Sequence, residues 1–538
     1  MTVAIFKRLA LLAIVSVLAL PVSAAAQVTP FMQAVAVAAA GDDALSAFYR
    51  DAEYEALWTD ADSDDRARRE ALLTAVSKAE LHGLPVERYD AERLRTMMGN
   101  ATDARARGNL EVELSRIFLR FASDISTGIL EPNKVVSHIK RTPPENNRLD
   151  LLRGLATERP SAFMKGLTPE SLEYARLMRE RLRLVDVMQT DAWGAPVEAA
   201  RLEEGASGAE VVRLRDRLAA MGYLGRSFTR TFDASMREAV ERFQADHGLK
   251  IDGIVGGKTL EELNASPEER LGSILVAMER ERWMNRDRGD RHIWVNLADF
   301  RTKIIVDGEV YFETKSIIGK AVPDRETPEF SDTMSHMVIN PYWYVPRSIT
   351  VKEYLPDMRR DPYAHSQLQV INSNGQVVDR GRGFSQFSAS SFPYSMRQEP
   401  GPENALGLVK FMFPNKYAIY LHDTPAQSLF EENVRAFSHG CIRLDDPYKF
   451  GQALLTLDDV PDPADTFNSH LNSDKNTRVD LNQPLPVHLV YRTAIPKPSG
   501  GMEYRDDVYG RDVRILDALL SEGVQIPRSE LRVASAAD

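Results

Sequence analysis

A chain of 538 residues that contains one cysteine cannot close a disulfide within itself. It also lacks any apolar run beyond residue 26 long enough to span a bilayer, so a bundle of membrane helices is excluded. A basic excess is missing: 67 Lys and Arg stand against 78 Asp and Glu, a formal charge of −11. Such a chain repels nucleic acid and anionic lipid, and neither is expected as a partner. No H-E-x-x-H or C-x-x-C pairing of a zinc site occurs, and no repeat of solenoid length. The remaining composition, 43% hydrophobic and 27% charged, is that of an ordinary globular protein. About 510 residues beyond the N-terminal stretch are too many for one core and call for roughly three domains.

That stretch reads MTVAIFKRLALLAIVSVLALPVSAAAQ. Lys7 and Arg8 precede an apolar run from Leu9 to Leu20, and Ala24-x-Ala26 provides a small-residue cleavage site. This is the layout of a secretory signal peptide over residues 1–26, with membrane contact only through that transient segment. Its removal takes the formal charge from −11 to −13. The mature protein is expected outside the cytoplasm, in an oxidising compartment where cysteines ordinarily pair. A lone thiol there is an intermolecular bridge, a reactive group or an inert buried hydrophobe.

Residues 40–200 read as a helical domain. "EALLTAVSKAELHGLP" and "LEVELSRIFLRFASDISTGIL" carry apolar residues at three and four spacing, and Leu114, Ile117, Phe118 and Phe121 make one stripe. An Ala-, Gly- and Glu-rich linker leads to a compact three-helix unit at 205–265, in which Asp233 is placed to cap the second helix. From about residue 290 the period changes to two. "TKIIVDGEVYFETKSIIG" predicts a hairpin turning at Asp307-Gly308, with later strands at "AIYLHD" and "PLPVHLVYRTA". Residues 290–500 are therefore expected to form a mainly antiparallel β domain, followed by a C-terminal extension, 501–538. The polar stretch 468–484 reads as an exposed loop.

Cys441 lies in "SHGCIRLDD". A thiol attacks as thiolate, and a neighbouring histidine can take its proton and return it to a leaving group. His439 is two positions away; His422 ends the "AIYLHD" strand, with fifteen residues between it and Ser438. Gly440 lets the backbone approach a substrate, so N–H groups at 439–441 could cradle an oxyanion. Zinc held by His422, His439 and Cys441 is the competing reading, though no further ligand pairing accompanies them.

"HDTP" at 422–425 followed by "SHGCIR" at 438–443 resembles the catalytic signature of the L,D-transpeptidases (YkuD type). "VVRLRDRLAAMGYL" and "AVERFQADHGLKIDGIVGGKTL" resemble the three-helix peptidoglycan-binding domain. The helical region, "YEALW" at 54–58 and "NPYWYVP" at 340–346 are similar to the large periplasmic members with a scaffold domain. The resemblance implies a multidomain α and β protein: helical scaffold, peptidoglycan-binding domain, and a mainly β catalytic domain with a capping segment at about 343–405. It implies that Cys441 attacks the L,D bond of a donor tetrapeptide and releases D-Ala, leaving a thioester that another stem resolves into a 3→3 cross-link. Water as acceptor would make a carboxypeptidase, a protein lysine an anchoring enzyme, and loss of catalysis a wall-binding protein.

In the family the first histidine, here His422, pairs with the cysteine, and the carbonyl after it, that of Asp423, orients the ring. His439 and Ser438 then support the site, and Gly440 with Cys441 supplies oxyanion donors. Arg443 either meets a substrate carboxylate or forms a salt bridge to Asp445 or Asp446. Tyr420, on the same face as His422 by alternation, and Trp343 are candidates for the cleft or for packing. The implied partners are peptidoglycan stem peptides and glycan, and other wall-synthesis enzymes; no cofactor or metal is implied. The location is the periplasm, and carbapenems are the expected covalent inhibitors.

Overall fold

The computed structural model describes residues 28–527, so the expected signal peptide and residues 528–538 lie outside the described residues. The N-terminal region is helical and centred on the helix Ala104–Thr127. Asp103 caps it by accepting from the Ala106 N–H, and Leu114, Ile117, Phe118 and Phe121 are buried along its inner face. One turn nearer its start, the buried Glu111 carboxylate accepts from the N–H groups of Leu57, Trp58 and Thr59 and from the Tyr49 hydroxyl. That anchor is the physical reason "YEALW" closes against the helix. Desolvation pushes Glu111 up to about 7 despite those donors.

The 205–265 unit has helices Ala209–Ala220, Ala234–Asp246 and Lys258–Asn264, packed around Val211, Leu214, Leu218, Met236, Val240 and Phe243. Asp233 caps the second through the Met236 N–H, as its position predicts. The helix Pro267–Trp283, opened by a Ser266/Glu269 capping box, then runs buried into the β domain.

The β domain is built from nine strands: β1 Arg291–Asn296, β2 Arg301–Val306, β3 Glu309–Gly319, β4 Phe330–Ile339, β5 Val409–Met412, β6 Leu421–His422, β7 Ala436–Ser438, β8 Ile442–Leu444 and β9 Thr477–Val490. The order is β7-β3-β8-β6-β5-β4-β9-β1-β2, and β2 pairs back onto β3, closing eight strands into a barrel. β2 and β3 form the predicted hairpin, with positive φ at both Asp307 and Gly308. Most pairs are antiparallel; β6–β8, β3–β7 and β1–β9 are parallel. Alternation sends Val409, Phe411, Leu421, Ile442 and Leu444 into the core, where Phe450 and Leu454 of the helix Pro447–Leu457 meet them.

The loop expected at 468–484 is replaced by the end of a helix, Pro463–Leu471, and the first half of β9. Thr477, Val479 and Leu481 turn inward between solvent-facing polar residues, and β9 pairs with β4 from Thr477↔Ile339 to Leu489↔Phe330. A register shift between Asp480 and Leu485 separates the polar half from the apolar half, which hides the period in the sequence.

Between β4 and β5 the chain leaves the barrel and forms a cap. Strands Trp343–Tyr344, Ser395–Gln398 and Gln369–Ile371 make a small sheet over Val345, Ile349, Met358, Phe384, Phe392 and Met396.

Candidate active site

Three neighbouring strands define the site through their registers. Lys410 of β5 stands opposite His422 of β6, and His422 opposite Arg443 of β8, so the three share one face of the sheet. One pleat along, the same registers place Met412, Tyr420 and Cys441 on that face. Cys441 is thus the neighbour of Arg443 along its strand, of Tyr420 across it, and of His422 on the diagonal. Direct and diagonal neighbours of this kind lie about 5 and 7–8 Å apart, within reach of their side chains.

His422 is buried, and its Nδ1 donates to the Asp423 carbonyl at 2.5 Å. A carbonyl can only accept, so Nδ1 carries the proton and Nε2 keeps its lone pair. Burial holds this imidazole down to about 3, with the Arg443 and Lys410 charges acting in the same direction. The Asp423 peptide is itself fixed: its carboxylate accepts from the Leu408 N–H at 2.8 Å, the Thr424 N–H at 2.7 Å and the Tyr448 hydroxyl at 3.3 Å. Only glycine fits opposite it, because a Cβ on Gly407 (φ +58°) would come within 2.2 Å of that carboxylate.

Cys441 is half-buried, and its thiol donates weakly to the Ala418 carbonyl at 3.6 Å. Desolvation pushes the thiol up to about 11, opposed by hydrogen bonds from the Tyr420 backbone and hydroxyl and by the Arg443 and Lys410 charges. The two shifts run in opposite directions, and each favours the neutral form of its group near pH 7. Tyr420 packs its ring 5.7 Å from that of His422 and its hydroxyl against the thiol.

The turn 438–441 is clasped by Ser438, whose Oγ donates to the Cys441 carbonyl at 2.6 Å and accepts from the Gly440 N–H at 3.0 Å. This revises the expectation for Gly440. Its N–H is already taken, whereas those of His439 and Cys441 have no protein acceptor among the described residues. Gly440 contributes its φ of +119° and its carbonyl, which accepts from Thr327 Oγ1 at 2.7 Å.

His439 turns away from the sheet face. Its Nε2 meets Glu353 of the cap at 3.0 Å, and Glu353 also pairs with Arg325 at 2.8 Å. The zinc trio therefore does not converge, and no group of three His, Cys, Asp or Glu side chains does so among the described residues. The expected alternative ion pair of Arg443 is likewise not formed: among the described residues no carboxylate lies within 4.0 Å of it, and its buried Nε has no acceptor there. Asp446 pairs instead with Lys449. Trp343 sits half-buried in the cap's own apolar cluster. Lys410, Gly407, Glu353 and Tyr448 escaped the sequence reading, since each takes its meaning from a cross-strand or cap contact; the alternation of Lys410 with Val409 and Phe411 marks only a strand residue facing away from the core.

Comparison with known proteins agrees with this architecture. Residues 290–460 match the L,D-transpeptidase catalytic domain (YkuD), residues 43–180 a scaffold domain, and residues 207–263 a putative peptidoglycan binding domain. A putative L,D-transpeptidase of Haemophilus influenzae is 32% identical over 225 residues, which cover 41% of this chain and 45% of that protein. The match thus spans less than half the length of that relative. Among solved structures, an L,D-transpeptidase of Xylanimonas cellulosilytica is 14% identical with a TM-score of 0.17, covering 55% of this chain and 100% of that one. Another, from Stackebrandtia nassauensis, is 12% identical with a TM-score of 0.20, covering 55% and 95%. At such scores neither carries an argument.

Proposed function

We propose that this chain, in which matches to a scaffold domain and a putative peptidoglycan binding domain precede one to the L,D-transpeptidase catalytic domain, forms 3→3 cross-links in peptidoglycan through a thioester on Cys441. What supports the reading is the placement, on one sheet face, of the chain's one thiol and an imidazole whose Nδ1–H is held by the Asp423 carbonyl, leaving Nε2 unprotonated.

Because both groups rest neutral, proton transfer accompanies attack instead of preceding it. Sγ adds to the carbonyl carbon of the third-position diamino acid while its proton moves to His422 Nε2. The N–H groups of His439 and Cys441 stabilise the oxyanion. Collapse breaks the C–N bond, and His422 returns the proton to the departing D-Ala amine. The side-chain amine of a second stem then attacks the thioester, gives a proton to His422, and leaves an amide as the thiol is re-formed. His439 and Ser438 support the turn. The glycan-binding domain and export to the periplasm bring the site to its polymer, with peptidoglycan as the partner.

The test is mature protein incubated with disaccharide-tetrapeptide and followed by mass spectrometry. A 3→3 dimer is expected with wild type and none with Cys441→Ala. Loss of D-Ala without dimer would instead identify a carboxypeptidase. Neither product, with sacculus binding retained, would leave only a wall-binding protein.

A further inference from the structure

Buried cations in this fold are generally matched. Arg280 meets Glu329 and Asp512, Arg282 meets Glu279, Arg492 meets Glu281, and Arg511 meets Glu326 and Glu329. Two cations beside the thiol are not. Neither Lys410 nor Arg443 has a carboxylate within 4.0 Å or a side-chain hydrogen bond among the described residues; Arg443 Nε is sealed from solvent without an acceptor, as are those of Arg282 and Arg511, but those two guanidinium groups are ion-paired through their other nitrogens. The Asp423 carboxylate is occupied by two N–H groups and a hydroxyl, and alternation turns it to the other face. Lys410 Nζ lies 5.9 Å from the Tyr420 ring centroid, a contact that leaves its hydrogen-bonding capacity unused.

Leaving two partly desolvated charges and an orphaned donor unpaired is costly, and such groups are kept where an anion completes them. The registers say where that anion goes. Lys410 and Arg443 flank His422 in one row, and Cys441 occupies the next row about 7 Å along the strand.

We propose that Lys410 and Arg443 form a two-point receptor for the terminal carboxylate of the donor stem, and so select donors that end at the leaving residue. The inference rests on the reaction proposed above and assigns it a specificity site. In such a donor the terminal carboxylate is one residue, about 3.5 Å, beyond the scissile carbonyl. With that carbonyl over Sγ, the carboxylate reaches the row of cations, and the leaving nitrogen between them lies toward His422, the group that must protonate it. A stem with one further residue carries an amide at this position, with its carboxylate displaced by another 3.5 Å or so. Its amide oxygen can still accept from Arg443 but brings no charge to offset the two cations, and a site built around charged hydrogen bonds discriminates strongly against a ligand that cannot supply them. The guanidinium offers a planar fork and the ammonium a point charge, so the two need not act symmetrically.

The experiment compares acylation of Cys441 by disaccharide-tetrapeptide and by the same molecule ending in D-alaninamide, with mass spectrometry of the intact protein. Wild type is expected to prefer the acid by about 10- to 100-fold in kcat/KM. Lys410→Gln should cut that preference about tenfold or more, Arg443→Gln at least as far, and Lys410→Arg should retain most of it. Alkylation by neutral iodoacetamide checks that each variant keeps a folded, reactive thiol. Equal losses with acid and amide would overturn the receptor, since the cations would then serve the thiolate, and so would a wild type that treats both donors alike. Those results leave the thioester reaction standing, whereas acylation by neither donor overturns both.

Discussion

The thiol of Cys441, pushed up to about 11, and the imidazole of His422, held down to about 3, leave a pair that does not ionise on its own near neutrality. A preformed thiolate–imidazolium pair would alkylate at a constant rate across the neutral range, because the thiolate would already be present at low pH. Here the group must lose a proton to react with a small neutral reagent. The iodoacetamide rate is therefore expected to rise about tenfold per pH unit from 6 to 9 and to level off only near pH 11. A plateau at or below pH 8 would show that the ion pair exists in the free enzyme. Much of this site is legible at the residue scale: the unpaired cysteine, the spacing to His422 and the carbonyl of Asp423 follow from the signature. Gly440 was legible as a backbone requirement but not as a donor, since only the fold reveals that Ser438 Oγ occupies its N–H. Lys410 was hidden because a lysine alternating with Val409 and Phe411 reads as a solvent-facing strand residue.

Among the elements, the cap is the one whose attachment the sequence concealed. It leaves the barrel between β4 and β5, and its helical stretch 347–360 carries a π turn at Thr350–Tyr354, a rare feature that frequently marks functional positions. Glu353 in that turn holds both His439 of the catalytic turn and Arg325 of the β3–β4 connection, and Lys352 reaches Asp324 at 3.3 Å. The pattern of apolar residues predicts strands and helices because each period is local; a carboxylate shared by three segments leaves no periodic trace. Surface-grade ion pairs contribute up to about 1 kcal/mol each, so Glu353→Gln should loosen the cap without unfolding the barrel. We expect faster hydrogen exchange across 347–360 and a fall of about fivefold in donor kcat/KM carried mainly by KM, with iodoacetamide reactivity unchanged. Unaltered exchange in that segment would sink the assignment of Glu353 as the clasp.

At the scale of the whole molecule, residues 504–521, within the segment expected as a C-terminal extension, pack against the catalytic domain as part of its frame. The Tyr509 hydroxyl donates to the Gly319 carbonyl at 2.7 Å and accepts from the Thr327 N–H, and Thr327 Oγ1 in turn holds the Gly440 carbonyl. Arg505 pairs with Asp299 of the barrel and donates to the Asp246 carbonyl of the 205–265 unit, while Tyr504 stacks on His247 there. The helix Arg511–Ser521 starts with Arg511 fully buried against Glu326 and Glu329, the latter shared with Arg280 of the helix Pro267–Trp283. These links join residues far apart in the sequence, which is why composition and period could mark the segment but not place it. Removing one member of a buried charge network leaves the others uncompensated, and such losses cost roughly 3–5 kcal/mol. Arg511→Ala is expected to lower catalytic-domain stability by that amount in urea unfolding and to slow Cys441 acylation, because the frame behind Thr327 and Gly440 loosens with it. A change below about 1 kcal/mol would mean that Arg280 alone neutralises Glu329, and that the C-terminal helix is an appendage after all.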